Sequence, residues 1–430
     1  MRLLKSTDAD FERDFARIVS DRRETDGDVS REVATILNKV RATGDAALVE
    51  FSARFDKHRL STDDDWQISA EACREAFEGL DAELRDALTL AADRIRAYHA
   101  DQLPKDRDWT DDAGLRLGAT WRAVDAAGLY VPGGRASYPS SLLMNAIPAR
   151  VAGVERLVVV TPTPKGAINP LVLAAAHLAG VDEIWRIGGA HAVGALAYGT
   201  ERINAVDVIT GPGNAWVAEA KRQLFGVVGI DMVAGPSEIL VIADNQNDPD
   251  WIAADLLSQA EHDPVAQSIL ITDDAAFAQQ VEDRIDVQCS MLATQKVARE
   301  SWDKYGAVII VGDLAAEAPR LANMLAAEHV ELAIDDAEVM AKEIRHAGSI
   351  FLGRNTPEAV GDYVAGPNHV LPTGRRARFA SGLSVLDFMK RTSFIRCDAE
   401  GLAKVGPAAA RLALAEGLPA HAKSIELRLK

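Results

Sequence analysis

The chain has 430 residues, of which 48% are hydrophobic and 26% are charged, and its formal net charge at pH 7 is −17. The length provides for two or three domains with sizeable cores. The negative charge argues against nonspecific binding to nucleic acid or to an anionic membrane surface, and no apolar run approaches the ~20 residues of a membrane span. Three widely separated cysteines exclude a disulfide framework, and no signal peptide is visible, so we expect a cytoplasmic protein.

Residues 1–120 are predicted to be mostly helical, because apolar residues recur at three- and four-residue spacing among many charges. We expect this region to pack with the second of the two α/β domains that follow. The predicted helices are Asp10–Arg22, Val29–Thr43, Asp45–Phe55, Ala70–Gly79 and Asp81–Asp101.

From about residue 121, short β-branched runs alternate with Ala-rich amphipathic segments, which predicts βαβ units and parallel sheets. The predicted strands are Leu157–Thr161, Glu183–Ile187, Val206–Thr210, Ile239–Ala243, Ser268–Thr272, Ala307–Val311, Glu331–Ile334 and Ile350–Leu352. The fold class is therefore α/β with two Rossmann-like domains, residues 121–237 and 238–380. The tail 381–430 is too small for a core of its own, and we expect it to dock on another domain or on a second chain.

Gln259 and His262 lie near the end of an apolar, helix-periodic run, in the stretch Ser258–Pro264. Residues three apart share one face of a helix, so both polar tips can reach a single point. A nitrogen and a carbonyl oxygen together suit Zn²⁺. The alternative is an ordinary polar helix end that is stopped by Asp263 and Pro264.

Glycine-rich turns follow several predicted strands, where backbone amides and helix N-termini favour phosphate groups. They are Gly128–Gly134, Gly188–Gly189, Gly211–Asn214 and Gly235–Glu238. The standard dinucleotide and P-loop fingerprints are absent from the sequence. The choice between a nucleotide site and plain tight turns therefore stays open at this point.

Glu328 and His329 lie between a predicted helix and a predicted strand, the usual place for function in an open α/β sheet. An adjacent carboxylate and imidazole can divide proton transfers between them. A helix C-terminal histidine beside a solvated glutamate is the alternative interpretation.

Further candidates lie towards the end of the chain. Asp362 and His369 belong to a predicted long loop, 361–373, that glycine and proline residues restrain. Glu416 and His421 lie in the tail. Combined with Gln259 and His262, these groups allow an open catalytic zinc site.

These stretches, in this order, resemble the histidinol dehydrogenase family over nearly the whole chain, beginning at Gly44-Asp-Ala-Ala-Leu48. The resemblance is strongest in Tyr130-Val-Pro-Gly-Gly134, Gly211-Pro-Gly-Asn214, Asp231-Met-Val-Ala-Gly-Pro-Ser-Glu238, Ser258-Gln-Ala-Glu-His-Asp263, Ala327-Glu-His329, Gly361-Asp-Tyr-Val-Ala-Gly-Pro-Asn-His369, Phe379-Ala-Ser-Gly-Leu-Ser-Val385 and Glu416-Gly-Leu-Pro-Ala-His421.

The resemblance implies a zinc-dependent homodimer with shared active sites that oxidises L-histidinol to L-histidine, using NAD⁺ twice, as the last step of histidine synthesis. It implies Zn²⁺ ligands at Gln259, His262, Asp362 and His421, with His421 supplied by the partner subunit. It further implies Glu328 and His329 as the acid–base pair, substrate contacts at Ser237, Gln259, His262, His329, Asp362, His369, Glu416 and His421, and NAD contacts at Tyr130, His191 and Asn214. His191 departs from the family, which usually has Gln there, so we expect cofactor binding to be altered more than abolished.

In the chemistry that this resemblance implies, His329 removes the alcohol proton and Glu328 activates water to attack the aldehyde. One rival interpretation is a paralogous zinc dehydrogenase acting on another small alcohol, such as a sulfonated diol. Glu416 disfavours it, because a carboxylate pairs with an ammonium group and repels a sulfonate. A zinc hydrolase and a pure binding protein are the alternatives from other classes.

Overall fold

The computed structural model describes residues 1–21, 27–133, 139–233 and 235–430, and it gives no side-chain detail for residues 27 and 28. Three positions of the sequence predictions lie outside these ranges: Arg22 at the end of the first helix, Gly134 in a glycine-rich turn, and Ala234 before Gly235. Within the described residues, no helix combines the length and the apolar character that crossing a bilayer requires.

The strands and helices follow one another as an α/β alternation over most of the chain. The strands are β1 (Arg2–Lys5), β2 (Gln67–Ile68), β3 (Arg107–Thr110), β4 (Arg116–Ala123), β5 (Ala126–Tyr130), β6 (Arg156–Val160), β7 (Glu183–Trp185), β8 (Val208–Thr210), β9 (Gly229–Ile230), β10 (Glu238–Ala243), β11 (Gln267–Thr272), β12 (Ala307–Ile310), β13 (His329–Ala333), β14 (Ser349–Leu352) and β15 (Met389–Arg396). The helices are α1 (Phe11–Ser20), α2 (Gly27–Thr43), α3 (Asp45–Phe51), α4 (Asp63–Trp66), α5 (Ala70–Glu78), α6 (Ala82–Asp101), α7 (Pro139–Ala152), α8 (Pro170–Ala179), α9 (Gly189–Tyr198), α10 (Ala215–Leu224), α11 (Pro249–Ala260), α12 (Ala275–Met291), α13 (Gln295–Tyr305), α14 (Leu314–Leu325), α15 (Ala337–Ala341), α16 (Glu358–Tyr363), α17 (Ala399–Ala415) and α18 (Pro419–Glu426).

The first sheet has the strand order β2-β7-β6-β5-β8-β9, and all its pairs are parallel except β2 with β7. Successive residues of β6 point to opposite faces of the sheet. Leu157 and Val159 join the core with α5 to α8, while Val158 and Val160 join the core with α2, α3, α9 and α10. Burial on both faces explains why the strand sequence is continuously apolar.

The second sheet is entirely parallel, in the order β1-β12-β11-β10-β13-β14. On β10, Leu240 and Ile242 pack with α1, α14 and α15, whereas Ile239 and Val241 pack with α11 to α13. The structure therefore confirms the α/β class and the parallel sheets that the alternating pattern predicts.

The structure corrects the predicted packing of residues 1–120. Of the described residues in this region, those of β1 and α1 join the second sheet and its core. Helices α2 and α3 cover one face of the first sheet, and α5 and α6 cover the other, because their apolar stripes fill the two cores there. Strand β2 extends the same sheet at its edge.

The C-terminal tail begins with β15, which pairs antiparallel with β4 in a separate sheet of order β15-β4-β3. Helices α17 and α18 then pack on each other around three buried alanines, Ala410, Ala413 and Ala422. Large apolar side chains stay exposed here, including Ile395 at 73% and Leu412 at 64%. A core this small agrees with the expectation that the tail depends on contacts outside itself. The predicted exchange of the tail within a dimer stays a prediction.

Candidate active site

The predicted acid–base pair, Glu328 and His329, lies at the amino end of the second sheet, where β10, β11 and β13 begin. Strand starts are not the carboxyl-end position that is usual for function in open α/β sheets, so the location of the pair does not by itself support the predicted role. Ala326 ends α14 in the left-handed region, at φ 47°, and turns the chain back into β13. Both members of the pair are buried, at 5% and 4% exposure.

His329 is held so that one ring nitrogen is committed and the other is not. Its Nδ1 lies 3.0 Å from Oε1 of Gln259 and 3.2 Å from the carbonyl oxygen of Glu238. Both neighbours are acceptors, so Nδ1–H donates to them and Nε2 carries the lone pair. Nε2 has no hydrogen-bond partner among the described residues. Burial lowers the pKa of His329 to about 4, which keeps the imidazole neutral at pH 7.

Glu328 is fixed by a backbone donor. Its Oε2 accepts a hydrogen bond from the backbone N–H of Glu238 at 3.0 Å and lies 3.9 Å from Nδ1 of His329. Burial raises the pKa of Glu328 well above its usual range, and the nearby carboxylates of Glu238, Asp362 and Glu358 add to the rise. The main chain of Glu238 thus contacts both members of the pair.

Helix α16 brings two carboxylates to the same place, because Glu358 and Asp362 are one helical turn apart. Oε1 of Glu358 lies 3.4 Å from Nε2 of His329. The candidate ligand atoms of His329, Glu358 and Asp362 lie within 4.8 Å of one another, which is close enough for one metal ion. The sequence prediction missed Glu358 because it treated this region as a loop starting at Gly361; the helical spacing from Glu358 to Asp362 was the available signal.

The predicted loop 361–373 is partly wrong, since Gly361 to Tyr363 are the end of α16. A Cβ on Gly361 would lie 2.6 Å from Cε1 of Phe351, so glycine lets the helix approach β14 closely. Further on, His369 donates from Nδ1 to the carbonyl oxygen of Asp362 at 3.0 Å. Its Nε2 lies 3.3 Å from Oγ of Ser141 on α7, so the site lies between the two domains.

The predicted metal ligands are only partly assembled within one chain. Gln259 is fully buried at the end of α11, and its Nε2 lies 3.4 Å from Nδ1 of His262. These two residues and Asp362 therefore belong to one contact network through His329. Half-buried Ser237 immediately precedes Glu238, and its carbonyl oxygen accepts a hydrogen bond from the N–H of Gln267.

Glu416 and His421 are exposed on the α17–α18 hairpin. Among the described residues, no hydrogen bond or ion pair joins either side chain to the rest of the predicted set. Their proposed roles depend on a second chain, and they stay predictions.

The three predicted NAD contacts, Tyr130, His191 and Asn214, line one cavity of about 560 Å³ at the carboxyl ends of the first sheet. The hydroxyl of Tyr130 accepts a hydrogen bond from the N–H of Gly189 at 3.0 Å, at the start of α9. Oδ1 of Asn214 accepts from the first amides of α10, at Trp216 and Val217, so the asparagine is also an N-cap.

His191 is 1% exposed and stacks loosely against Phe51 and Phe55. Its Nε2 lies 3.4 Å from Oγ of Ser52, and its Nδ1 has no hydrogen-bond partner among the described residues. Burial lowers its pKa to about 3, so the ring is neutral and offers one donor and one acceptor.

The turn Gly211–Asn214 is held by a buried ion pair that the sequence prediction did not single out. Lys221 pairs with Asp231, donates to the carbonyl oxygen of Gly211 at 2.9 Å, and is 1% exposed. Asp231 in turn accepts from the N–H of Gly211 at 2.9 Å. Gly211 has φ 112°, and a Cβ there would lie 2.2 Å from the carbonyl oxygen of Tyr130, so this position requires glycine.

Comparisons with known proteins agree on one family. The family model described as histidinol dehydrogenase matches residues 19–429. A histidinol dehydrogenase of Zymomonas mobilis is 61% identical over 426 residues, covering 99% of each chain, and one of Rhodospirillum rubrum is 59% identical, covering 99% of this chain and 98% of its own. The crystal structure of histidinol dehydrogenase from Elizabethkingia anophelis superposes with a TM-score of 0.94 at 34% identity, covering 100% of this chain and 98% of that one. The chain therefore belongs to the histidinol dehydrogenase family and is an oxidoreductase.

Proposed function

We propose that this enzyme oxidises L-histidinol to L-histidine through histidinaldehyde, using a zinc ion and two molecules of NAD⁺ in turn, as the last step of histidine biosynthesis. The observation that carries the proposal is the buried, neutral imidazole of His329, whose Nδ1–H is committed to two acceptors while Nε2 has no hydrogen-bond partner among the described residues. This arrangement suits a general base that must take a proton from an alcohol at neutral pH.

A divalent cation fits the charge of the site. Glu328, Glu358 and Asp362 bring three carboxyl groups around one imidazole, and burial together with their mutual repulsion raises the pKa of Glu328 and of Glu358. A bound cation would relieve this repulsion. We assign the metal to Gln259, His262, Asp362 and the partner's His421, a mixed nitrogen and oxygen set that zinc accepts. When bound, the zinc ion holds the polar groups of the substrate and orients its carbinol carbon.

In the first oxidation, His329 takes the hydroxyl proton at Nε2. Because Gln259 and the carbonyl of Glu238 accept hydrogen bonds from Nδ1–H, the ring cannot turn Nδ1 towards the substrate, and Nε2 is the nitrogen that faces it. The carboxyl group of Glu358, 3.4 Å from Nε2, lies where positive charge develops as the proton arrives. NAD⁺, when bound, accepts a hydride in each of the two oxidations.

In the second oxidation, Glu328 takes a proton from the water that attacks the aldehyde. A carboxyl group with a raised pKa is a stronger base than an exposed one once it is ionised. Glu328, His329 and Glu358 are buried, which limits the access of bulk water to a reactive aldehyde.

We also assign Ser237 and His369 to substrate contact, with Glu416 of the partner subunit pairing with the substrate ammonium group. The exposure of Glu416 and His421 supports this assignment, as do the exposed apolar side chains of the tail. The described α17–α18 hairpin, whose own core is formed by Ala410, Ala413 and Ala422, gains stability by packing on a second copy. The proposed assembly is therefore a homodimer with shared active sites.

The first-sheet cavity is the proposed NAD site, with Tyr130, His191 and Asn214 as contacts. Its volume suits a large ligand, and the N-terminus of α9 provides backbone amides without a side-chain cap. The free Nδ1 of His191 can make the single hydrogen bond that a ligand group needs there.

The test combines metal analysis with a turnover assay on the purified protein. Addition of L-histidinol and NAD⁺ is expected to give NADH and histidine in a ratio of two to one, and chelation is expected to abolish both. Turnover of a sulfonated diol in preference to histidinol would contradict the assignment of histidinol as the substrate. Activity that survives full metal removal would contradict the zinc assignment.

A further inference from the structure

The described wall of the first-sheet cavity carries carboxylates as well as a guanidinium group. Among the residues that the structure describes, the charged side chains that line it are Glu32 on α2, and Arg54 and Asp56 in the π-helical turn 52–56 that follows α3. Arg54 is exposed, and its guanidinium lies 5.1 Å from the ring centre of Phe55. Glu32 is exposed and accepts a hydrogen bond from Nε1 of Trp216 at 3.3 Å.

Asp56 differs from Glu32 because it is half-buried and incompletely satisfied. Its Oδ2 is buried and has no hydrogen-bond partner among the described residues. A buried carboxylate oxygen without a donor is costly, and Asp56 is one of the residues that line the cavity. Burial raises the pKa of Asp56, in agreement with this desolvation.

The backbone fixes the place of this carboxylate. Asp56 ends the π-helical turn, and Lys57 follows it in the left-handed region at φ 54°. Lys57 also donates from Nζ to the carbonyl oxygen of Arg54 at 2.9 Å. Single-turn π-helices are rare and are frequently found at functional sites. Asp56 therefore lies in a constrained segment of the cavity wall.

A second unsatisfied atom lies in the same cavity. Nδ1 of His191, a residue that is 1% exposed, has no hydrogen-bond partner among the described residues. Asp56 also lies near Tyr130, whose pKa is raised to about 12 mainly by burial and additionally by the charge of Asp56. Asp56 and His191 thus offer hydrogen-bonding atoms to a ligand that also passes Tyr130.

We propose that Asp56 selects NAD⁺ over NADP⁺, by accepting a hydrogen bond from a ribose hydroxyl at its carboxylate and by opposing a 2′-phosphate through its negative charge. The inference rests on the proposed NAD function of this cavity and adds the residue that sets its specificity. Carboxylates that bond a ribose diol discriminate in this way because a phosphate at the same place removes the donor and adds like charge.

The test is calorimetric titration of the metal-loaded protein with NADH and with NADPH, compared among the wild type, Asp56→Asn and Asp86→Asn. Asp86 is exposed on α6 and does not line the cavity, so its variant makes the same change of net charge elsewhere. Asp56→Ala serves as a second cavity variant, and circular dichroism checks that each protein is folded.

We expect the wild type to bind NADH at least ~100-fold more tightly than NADPH, and the Asp56 variants to reduce this ratio by about tenfold or more. Asp86→Asn should leave it unchanged. If both Asp56 variants keep the preference of the wild type for NADH over NADPH, the proposed role of Asp56 is wrong, while the NAD site itself stands. Failure of the wild type to bind NADH would overturn the cofactor part of the proposed function, and this inference with it.

Discussion

Replacing Glu328 with Gln is expected to separate the two oxidations. Gln has nearly the same shape, and its amide oxygen can still accept the N–H of Glu238 that now lies 3.0 Å from Oε2. His329 keeps its two acceptors at 3.0 and 3.2 Å, and its Nδ1 is 3.9 Å from Glu328, so its orientation does not depend on that carboxylate. We therefore expect the alcohol step to slow by less than ~10-fold and the aldehyde step to slow by ~10²–10⁴-fold, the range for loss of a general base.

The assay follows NADH formation in single turnovers, started separately from histidinol and from histidinaldehyde. Glu338→Gln is the control. Glu338 is exposed on α15, so this variant carries the same chemical change away from the site. Equal losses in both half-reactions would refute the division of labour between Glu328 and His329, and so would an unaffected aldehyde step.

The metal, the charge and the packing of the site can each be tested by one further substitution. His421→Asn should lower zinc occupancy, which metal analysis after dialysis measures, and an unchanged zinc content would remove His421 from the ligand set. In metal-free protein, burial and the charge of Asp362 raise the pKa of Glu358 to about 8, so its contribution to stability is full below the ordinary carboxyl range and is lost as pH rises towards about 8. Glu358→Gln should flatten this loss in thermal unfolding across that range, and parallel curves for the two proteins would contradict it. Gly361→Ala should cost ~1–3 kcal/mol of stability and lower activity, because the new Cβ meets Phe351 at 2.6 Å; an unchanged unfolding temperature would show that β14 yields freely.

The sequence was sufficient to predict the parallel sheets, because runs such as Leu157–Thr161 are apolar on both faces and only doubly covered strands need that pattern. It could not show which sheet the N-terminal helices cover. An amphipathic helix such as α2 carries one apolar stripe, and that stripe fits either sheet equally well. The correction for residues 27–101 therefore came from tertiary packing alone.

The candidate site divides in the same way. The spacing of Gln259 and His262 and the adjacency of Glu328 and His329 were local signals. In the structure the two pairs contact each other, because Oε1 of Gln259 lies 3.0 Å from Nδ1 of His329. Glu358 was missed because the stretch before Gly361 was not predicted to be helical, so the four-residue spacing between Glu358 and Asp362 went unused. The free Nε2 of His329 was equally inaccessible, since the tautomer depends on acceptors 70 and 91 residues away in the chain.

Each active site is proposed to combine His329 of one chain with His421 of its partner, and subunit mixing tests this arrangement most directly. His329→Gln and His421→Asn are each expected to be nearly inactive with histidinol and NAD⁺. If sites are shared, co-refolding the two variants in equal amounts creates hybrid dimers with one intact site, and about a quarter of the wild-type activity should return. A mixture that stays as inactive as its components while hybrid dimers are present would contradict the sharing of sites between subunits.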